Sequence, residues 1–131
     1  KVNKIIISIM SKKVLSVEDD TFLKNLASTK LTKEGFEVLP ASSVEELNTI
    51  LESHTPDIIL LDLLLPGTDG FGILKKIREN LKLTETPVII FSNLSDEKDI
   101  AQAKELGANH FMIKSNFTLD EIVSKIRELT D

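Results

Sequence analysis

The sequence predicts an α/β fold, a doubly wound parallel sheet of five strands, and three observations predict it. Short apolar runs alternate five times with segments of helical periodicity, and five βα units in strict alternation require a parallel sheet with helices on both faces. Two of the runs, Ile58-Ile59-Leu60-Leu61 and Val88-Ile89-Ile90-Phe91, are apolar at every position, as strands covered on both sides are. Four runs end in a polar residue able to do phosphate or metal chemistry. Val14-Leu15-Ser16-Val17 leads into Glu18-Asp19-Asp20, Ile58–Leu61 into Asp62, Val88–Phe91 into Ser92 and Phe111-Met112-Ile113 into Lys114. In an open α/β sheet, ligands bind beyond the carboxyl ends of the strands.

The elements follow in order. The first strand is expected at Lys13–Glu18, and Asp20 or Thr21 caps a helix whose inner face carries Leu23, Leu26, Ala27 and Leu31 before Gly35 ends it. Phe36–Leu39 reads as a short second strand stopped by Pro40. Ser43 with Glu46 makes a capping box, and Val44, Leu47 and Leu51 line the buried side of the second helix. Pro56-Asp57 introduces the third strand. Pro66-Gly67 and Asp69-Gly70 mark turns in the loop after it, and a third helix carries Phe71, Leu74, Ile77 and Leu81. Pro87 opens the fourth strand.

The fourth helix, near Asp96–Leu106, is the weakest amphipath, with Ile100, Ala103 and Leu106 as its apolar residues. So few apolar contacts imply low local stability. Gly107 ends it, and Asn109–Ile113 forms the fifth strand. In the last helix Thr118 caps, Glu121 completes the box and Phe117 staples onto Ile122. Crossovers are expected to be right-handed.

Composition narrows the function. A chain of 131 residues is one domain, long enough to bury roughly two-thirds of its unfolded surface. Sixteen basic residues against 21 acidic ones give a net charge of -5, which argues against nucleic-acid binding by this domain. There is no cysteine, so neither a disulfide framework nor a thiolate metal site exists, and a reducing cytoplasm fits. No stretch is long enough to span a bilayer, and the opening Lys1–Met10 lacks the cleavage site of a signal peptide. Met10-Ser11-Lys12-Lys13 reads as a natural start, which makes residues 1–11 an N-terminal extension, 1–9 of it non-native, ahead of a single domain at 12–131.

Three acids, a hydroxyl and an amine at one sheet edge suit a divalent cation plus a phosphoryl group. A carboxylate can attack phosphorus and form an acyl phosphate, and Asp62, at a strand end before a turn, is reachable. Each residue also has a plainer reading taken alone. Glu18-Asp19-Asp20 is then a helix cap, Asp62 a turn residue, Ser92 and Lys114 loop residues and Phe111 core. Their joint placement at strand ends favours the site. His54 and His110 have no acidic or histidine partner at ligand spacing and read as surface residues.

Four motifs, in order and each at a strand end, carry a resemblance: Val17-Glu18-Asp19-Asp20, Leu61-Asp62-Leu63-Leu64-Leu65-Pro66-Gly67-Thr68-Asp69-Gly70, Phe91-Ser92, and Gly107-Ala108-Asn109-His110-Phe111-Met112-Ile113-Lys114. The chain resembles the CheY-like receiver domain of response regulators in two-component signalling, from Lys13 to the last helix. The resemblance implies the flavodoxin-like strand order 2-1-3-4-5. It makes Asp62 the phosphoacceptor and Glu18 and Asp19 the acidic pair for Mg2+, Asp19 as a direct ligand and Glu18 through water. Asp62 itself and the backbone carbonyl of Leu64 complete the ligand set, which suits an oxygen-seeking octahedral cation that keeps several waters. Lys114 and the hydroxyl of Ser92 cover phosphoryl oxygens, and Phe111 is the aromatic that turns inward behind the serine. A histidine kinase or phosphotransfer protein is the implied donor. The face of the fourth helix, fifth strand and fifth helix binds a downstream target, and the only catalysis is the domain's own phosphotransfer and slow autodephosphorylation.

Some residues depart from the family pattern. Ser115 follows Lys114 where a proline with a cis bond is usual, and a non-proline cis bond costs about 2.5–4 kcal/mol, so the loop is either strained or trans. Asn93 stands where a smaller residue is common, which bears on the swing of Phe111. Leu64 is apolar where many relatives are polar, which bears on the lifetime of the phosphoryl group. Asn109-His110 replaces the strongly acidic fifth-strand segment of receivers that pair through this face, so that dimer is not expected. The chain ends with the last helix at Asp131, so an output domain is not expected within it, and it is either a stand-alone receiver or a piece of a longer regulator.

Other functions fit less well. A haloacid-dehalogenase-like phosphohydrolase needs a second aspartate two residues after the nucleophile, where Leu64 stands. A flavodoxin-like electron carrier needs a flavin-stacking aromatic, and tryptophan and tyrosine are both absent. A receiver-like interaction module that is never phosphorylated becomes credible if Ser115 misplaces Lys114.

Overall fold

The structure is a computed structural model that describes residues 11–131. The expectations about residues 1–9 and a start at Met10 lie outside the described residues. Five parallel strands, β1 (Lys13–Val17), β2 (Glu37–Ala41), β3 (Ile58–Leu61), β4 (Val88–Ser92) and β5 (His110–Ile113), form one sheet in the order β2-β1-β3-β4-β5. Five helices alternate with them: α1 (Thr21–Lys33), α2 (Val44–Ser53), α3 (Gly70–Glu79), α4 (Glu97–Glu105) and α5 (Leu119–Thr130).

The period of two along each strand divides the core into two layers. Leu15, Val17, Ile59, Leu61, Val88 and Ile90 face α2, α3 and α4, meeting Leu47, Ile73, Leu74, Ile77 and Ala103. Val14, Ile58, Leu60, Ile89, Phe91 and Met112 face α1 and α5, meeting Leu31, Ile122, Val123 and Ile126. Every residue of β3 and β4 is buried, as their unbroken apolar runs require.

The helix ends follow the expected chemistry. Asp20 caps α1 by accepting from the Leu23 N–H at 3.0 Å, and Gly35 takes φ +97° behind it. Thr118 and Glu121 form a reciprocal capping box on α5, and Phe117 packs into the layer that holds Ile122. Ser43 accepts from the Glu46 N–H, but Glu46 Oε1 reaches back one residue further, to the Ser42 N–H at 2.8 Å.

Several expectations need correcting. Pro40 lies inside β2 rather than stopping it; β2 is an edge strand paired only with β1, so the missing N–H costs no ladder bond. The first and fifth strands are each one residue shorter than expected, β1 ending at Val17 and β5 starting at His110. Leu81 is 88% exposed, because α3 ends at Glu79 and a 3-10 turn at Leu81–Leu83 buries Leu83 instead. On α1, Leu26 is 44% exposed and lies outward with Phe22 one turn earlier, while Ala27 and Leu31 point in. His54 and His110 are half-buried rather than surface residues.

Gly70 opens α3 against the backbone of the preceding loop. A Cβ there would sit inside the Leu63 carbonyl group, 2.7 Å from its carbon, so only glycine lets this loop close.

Candidate phosphoryl and metal site

The ladders run one residue past β1 and β3: Glu18 N–H donates to the Ala41 carbonyl at 2.9 Å and Asp62 N–H to the Val17 carbonyl at 3.1 Å. That extension sets the two acidic side chains side by side at the carboxyl edge. Both are buried, Asp62 at 4% exposure and Glu18 at 6%, and Asp19 is the most open of the three. Each of the three offers a carboxylate oxygen lying within 4.8 Å of the other two.

Lys114, the first residue after β5, reaches into this cluster. Its Nζ donates to Asp62 Oδ2 at 2.7 Å and pairs with Glu18 Oε1 at 2.6 Å. It also stands 5.9 Å from the centroid of the Phe91 ring, which walls the pocket from below. The other oxygens of Asp62 and Glu18 are occupied too. Asp62 Oδ1 accepts from the Leu64 N–H at 2.9 Å, and Glu18 Oε2 accepts from the Asp20 N–H at 3.1 Å.

Burial pushes the Glu18 carboxyl above its ordinary 4.5, against the hydrogen bonds from Lys114 and Asp20. Burial also works to lower the Lys114 amine, but the hydrogen bonds to Asp62 and Glu18 outweigh it and hold the amine above 10.5. Lys114 is therefore a fixed positive charge at any physiological pH.

The described peptide bonds are all trans, that of Lys114-Ser115 included. A 3-10 turn at Lys114–Asn116 carries the lysine from the strand into the pocket without the family's proline. With Ser115 in place of proline, the Lys114 amine still reaches Asp62 Oδ2.

Ser92 and Phe111 stand apart from this network. Ser92 is fully buried, and its Oγ accepts only at 3.5 Å from the Leu94 N–H. Phe111 is half-buried and packs on the α2–α4 side of the core. It lies opposite Ile90 in the β4–β5 register, so by alternation it shares a face with Ser92. Leu64 is 50% exposed at the rim, tied to Asp62 by its N–H.

The donor set fits magnesium: three carboxylates, all oxygen, with room on the open side at Asp19 for retained water. A cation drawing on Glu18 and Asp62 would share their carboxylates with the Lys114 amine. Sequence reasoning missed Phe91 as the floor beneath Lys114. The signal was there, since alternation puts Phe91 on the face opposite Ser92.

The chain belongs to the response regulator receiver domain family, whose model matches residues 14–127. It is 36% identical over 118 residues to the transcriptional regulatory protein KdpE of Staphylococcus aureus, covering 90% of this chain and 49% of that protein. It is 33% identical over 121 residues to the probable transcriptional regulator ycf27 of Cyanophora paradoxa, covering 92% and 49%. The chain thus spans about half the length of these relatives. Among solved structures, the receiver domain of the Francisella response regulator 1452 superposes with a TM-score of 0.83 at 27% identity, covering 92% of this chain and 97% of that one. The chemotaxis protein CheY4 of Vibrio cholerae shares the fold, with a TM-score of 0.84 at 23% identity over 91% and 98% of the two chains. None of the described helices is long and apolar enough to cross a membrane.

Proposed function

We propose that this domain is a phosphorylation-controlled signalling switch in which Asp62 accepts a phosphoryl group from a histidine of a partner kinase or phosphotransfer protein. The observation that carries the proposal is the Lys114 amine held 2.7 Å from Asp62 Oδ2 inside a cluster of three carboxylates. An Asp62 oxygen attacks phosphorus, the P–N bond to the donor's protonated phosphoimidazole ring breaks, and the ring leaves as neutral imidazole, keeping the proton on its other nitrogen. Phosphoryl transfer needs positioning and charge neutralisation more than covalent help. Lys114 supplies one fixed charge for the transferring oxygens. Glu18 through water, Asp19, Asp62 and the Leu64 carbonyl would hold Mg2+, which when bound neutralises charge on the same oxygens. The Ser92 hydroxyl, lightly held by Leu94, is free to turn toward the phosphoryl group, and Phe111 on the same face follows it.

This chemistry is the domain's own transfer and slow dephosphorylation, not turnover of a substrate. The apolar Leu64 leaves no acid/base two residues beyond Asp62. The altered α4–β5–α5 face binds a downstream protein target in the cytoplasm, with no membrane or nucleic-acid contact by this domain. Relatives named as transcriptional regulators support control of gene expression as the eventual output.

The test is incubation with magnesium and acetyl phosphate followed by intact mass, with Asp62→Asn alongside. The expected result is a single phosphoryl adduct, lost on that substitution and lost without magnesium. No adduct on folded protein would overturn the reading in favour of an interaction module that is never phosphorylated.

A further inference from the structure

Arg78, in the last turn of α3, lies at the pole of the sheet away from the acidic pocket and makes four hydrogen bonds, all to neutral oxygens. Its Nη1 donates to the carbonyls of Leu83 at 2.8 Å and Thr86 at 2.7 Å, its Nε to the Gly107 carbonyl at 3.0 Å, and its Nη2 to Asn109 Oδ1 at 2.8 Å. The same Asn109 oxygen accepts from the Val88 N–H at 2.8 Å, which brings the first residue of β4 into the cluster. One guanidinium thereby joins the turn before β4 to the turn between α4 and β5. Gly107 is shaped for this. Its φ of +109° suits glycine, and a Cβ there would lie 2.8 Å from Arg78 Cγ.

The grip falls at one end of a helix that is otherwise loosely held. Of the segment 97–108, the α2–α4 core layer takes Ala103, Leu106 and Ala108, all toward the carboxyl end, and nothing from Glu97–Ala101. The amino end follows directly from β4 through Ser92 and Leu94, on the side of the acidic pocket.

We propose that Arg78 is the fixed pivot of α4, pinning the helix's carboxyl end so that a change at the pocket swings its amino end alone. A helix free at both ends frays at both; a pinned one frays at one. The pivot turns a small shift near Ser92 into a rotation of α4, and the β5 edge next to Gly107 stays still.

The test is amide hydrogen exchange on the whole chain, wild type against Arg78→Met and Arg78→Lys, first without any phosphoryl group. In the wild type, Leu106, Gly107 and Ala108 should exchange more slowly than Ala101 and Gln102. In Arg78→Met that gradient should vanish, with the three carboxyl-end amides at least about tenfold faster, as loss of a charge-assisted hydrogen bond implies. Amides of α1 and α5 should be unchanged, and Arg78→Lys should fall between. Acceleration spread evenly over every helix, or an unaltered gradient, would overturn the pivot. A second arm rests on the phosphoacceptor reading: with magnesium and beryllofluoride, changes along α4 and its flanking turns should stay within residues 93–101 in the wild type and extend through 106–109 in Arg78→Met. Equal spread in both proteins would overturn the pivot. Absence of any change near Asp62 would count against the phosphoacceptor reading instead, and the first arm would still decide the pivot.

Discussion

Replacing Lys114 with methionine removes the amine that bridges Glu18 and Asp62 while keeping most of the side chain's apolar length. The amine lies 2.6 Å and 2.7 Å from the two carboxylates, whose oxygens come within 4.8 Å of each other. At an effective dielectric of about 20, two such charges repel by at least about 3.5 kcal/mol. Stripping one partner from a buried pair costs about 3–5 kcal/mol, and the lysine, still 13% exposed, belongs at the low end. Lys114→Met should therefore lose about 3 kcal/mol in urea unfolding at neutral pH in the presence of a chelator. Excess magnesium should narrow the gap, because the variant offers the cation three carboxylates with no competing ammonium. Acid should narrow it too. A carboxyl held above 4.5 contributes stability that is present below 4.5 and lost as pH rises through its folded value, and removing Lys114 steepens that loss for Glu18. A metal-free cost below about 1 kcal/mol would refute the buried-pair reasoning. An identical gap with and without magnesium would show that lysine and cation do not share oxygens.

Three further outcomes are expected. Gly70→Ala should cost about 2 kcal/mol or more by forcing a methyl into the Leu63 carbonyl; equilibrium unfolding measures this, and a neutral result would mean the loop can shift freely. Leu83→Ala should cost about 2–5 kcal/mol and Leu81→Ala within about 0.5 kcal/mol, since only the first is buried; equal melting temperatures for the two variants would contradict the turn at 81–83. Burial, with Lys125 beside it, holds the His110 imidazole below 6.5, so it resists protonation when folded. The unfolded chain then binds the proton first, and stability falls as pH drops through 6.5 toward the folded value. NMR titration should find His110 below 6.5, and His110→Gln should flatten the acid side of the stability profile; a titration at or above 6.5 would remove the basis for this.

The parts of the fold that were legible in the sequence are those where one physical rule acts alone. The buried runs 58–61 and 88–91 had no choice but the middle of the sheet, and Asp20, Thr118 and Gly35 act through neighbours within a few residues. Errors came where tertiary placement reverses a local preference. Pro40 breaks a central strand but is harmless on an edge, and the sequence around it does not say which strand is the edge. Leu26 and Leu81 fit helical spacing, yet Leu26 falls on the outward side of α1 and α3 ends before Leu81. The acidic cluster and Lys114 were legible because strand ends converge on one edge whatever the register. Arg78 was not, since its partners are mostly carbonyls that every residue carries, and only the folded turns bring them together.

If Asp62 is the acceptor, its hydrogen bonds set the order of events. Both of its oxygens are engaged, Oδ1 by the Leu64 N–H and Oδ2 by the Lys114 amine. A carboxylate with a donor on each oxygen is a weaker nucleophile until one donor is withdrawn. The Leu64 N–H is fixed to the chain two residues away and stays. The amine, on a long flexible stem, is the one that can leave Oδ2, and an arriving phosphoryl group gives it a new anionic partner without leaving the pocket. Lys114 thus needs to be close but not locked. An all-trans 3-10 turn ending in Ser115 and Asn116 meets that need, since both residues are exposed. Ser115→Pro should therefore alter how firmly Lys114 rests on Asp62 more than whether it reaches it. That difference would be read in the rate of adduct formation from acetyl phosphate, with the final extent unchanged.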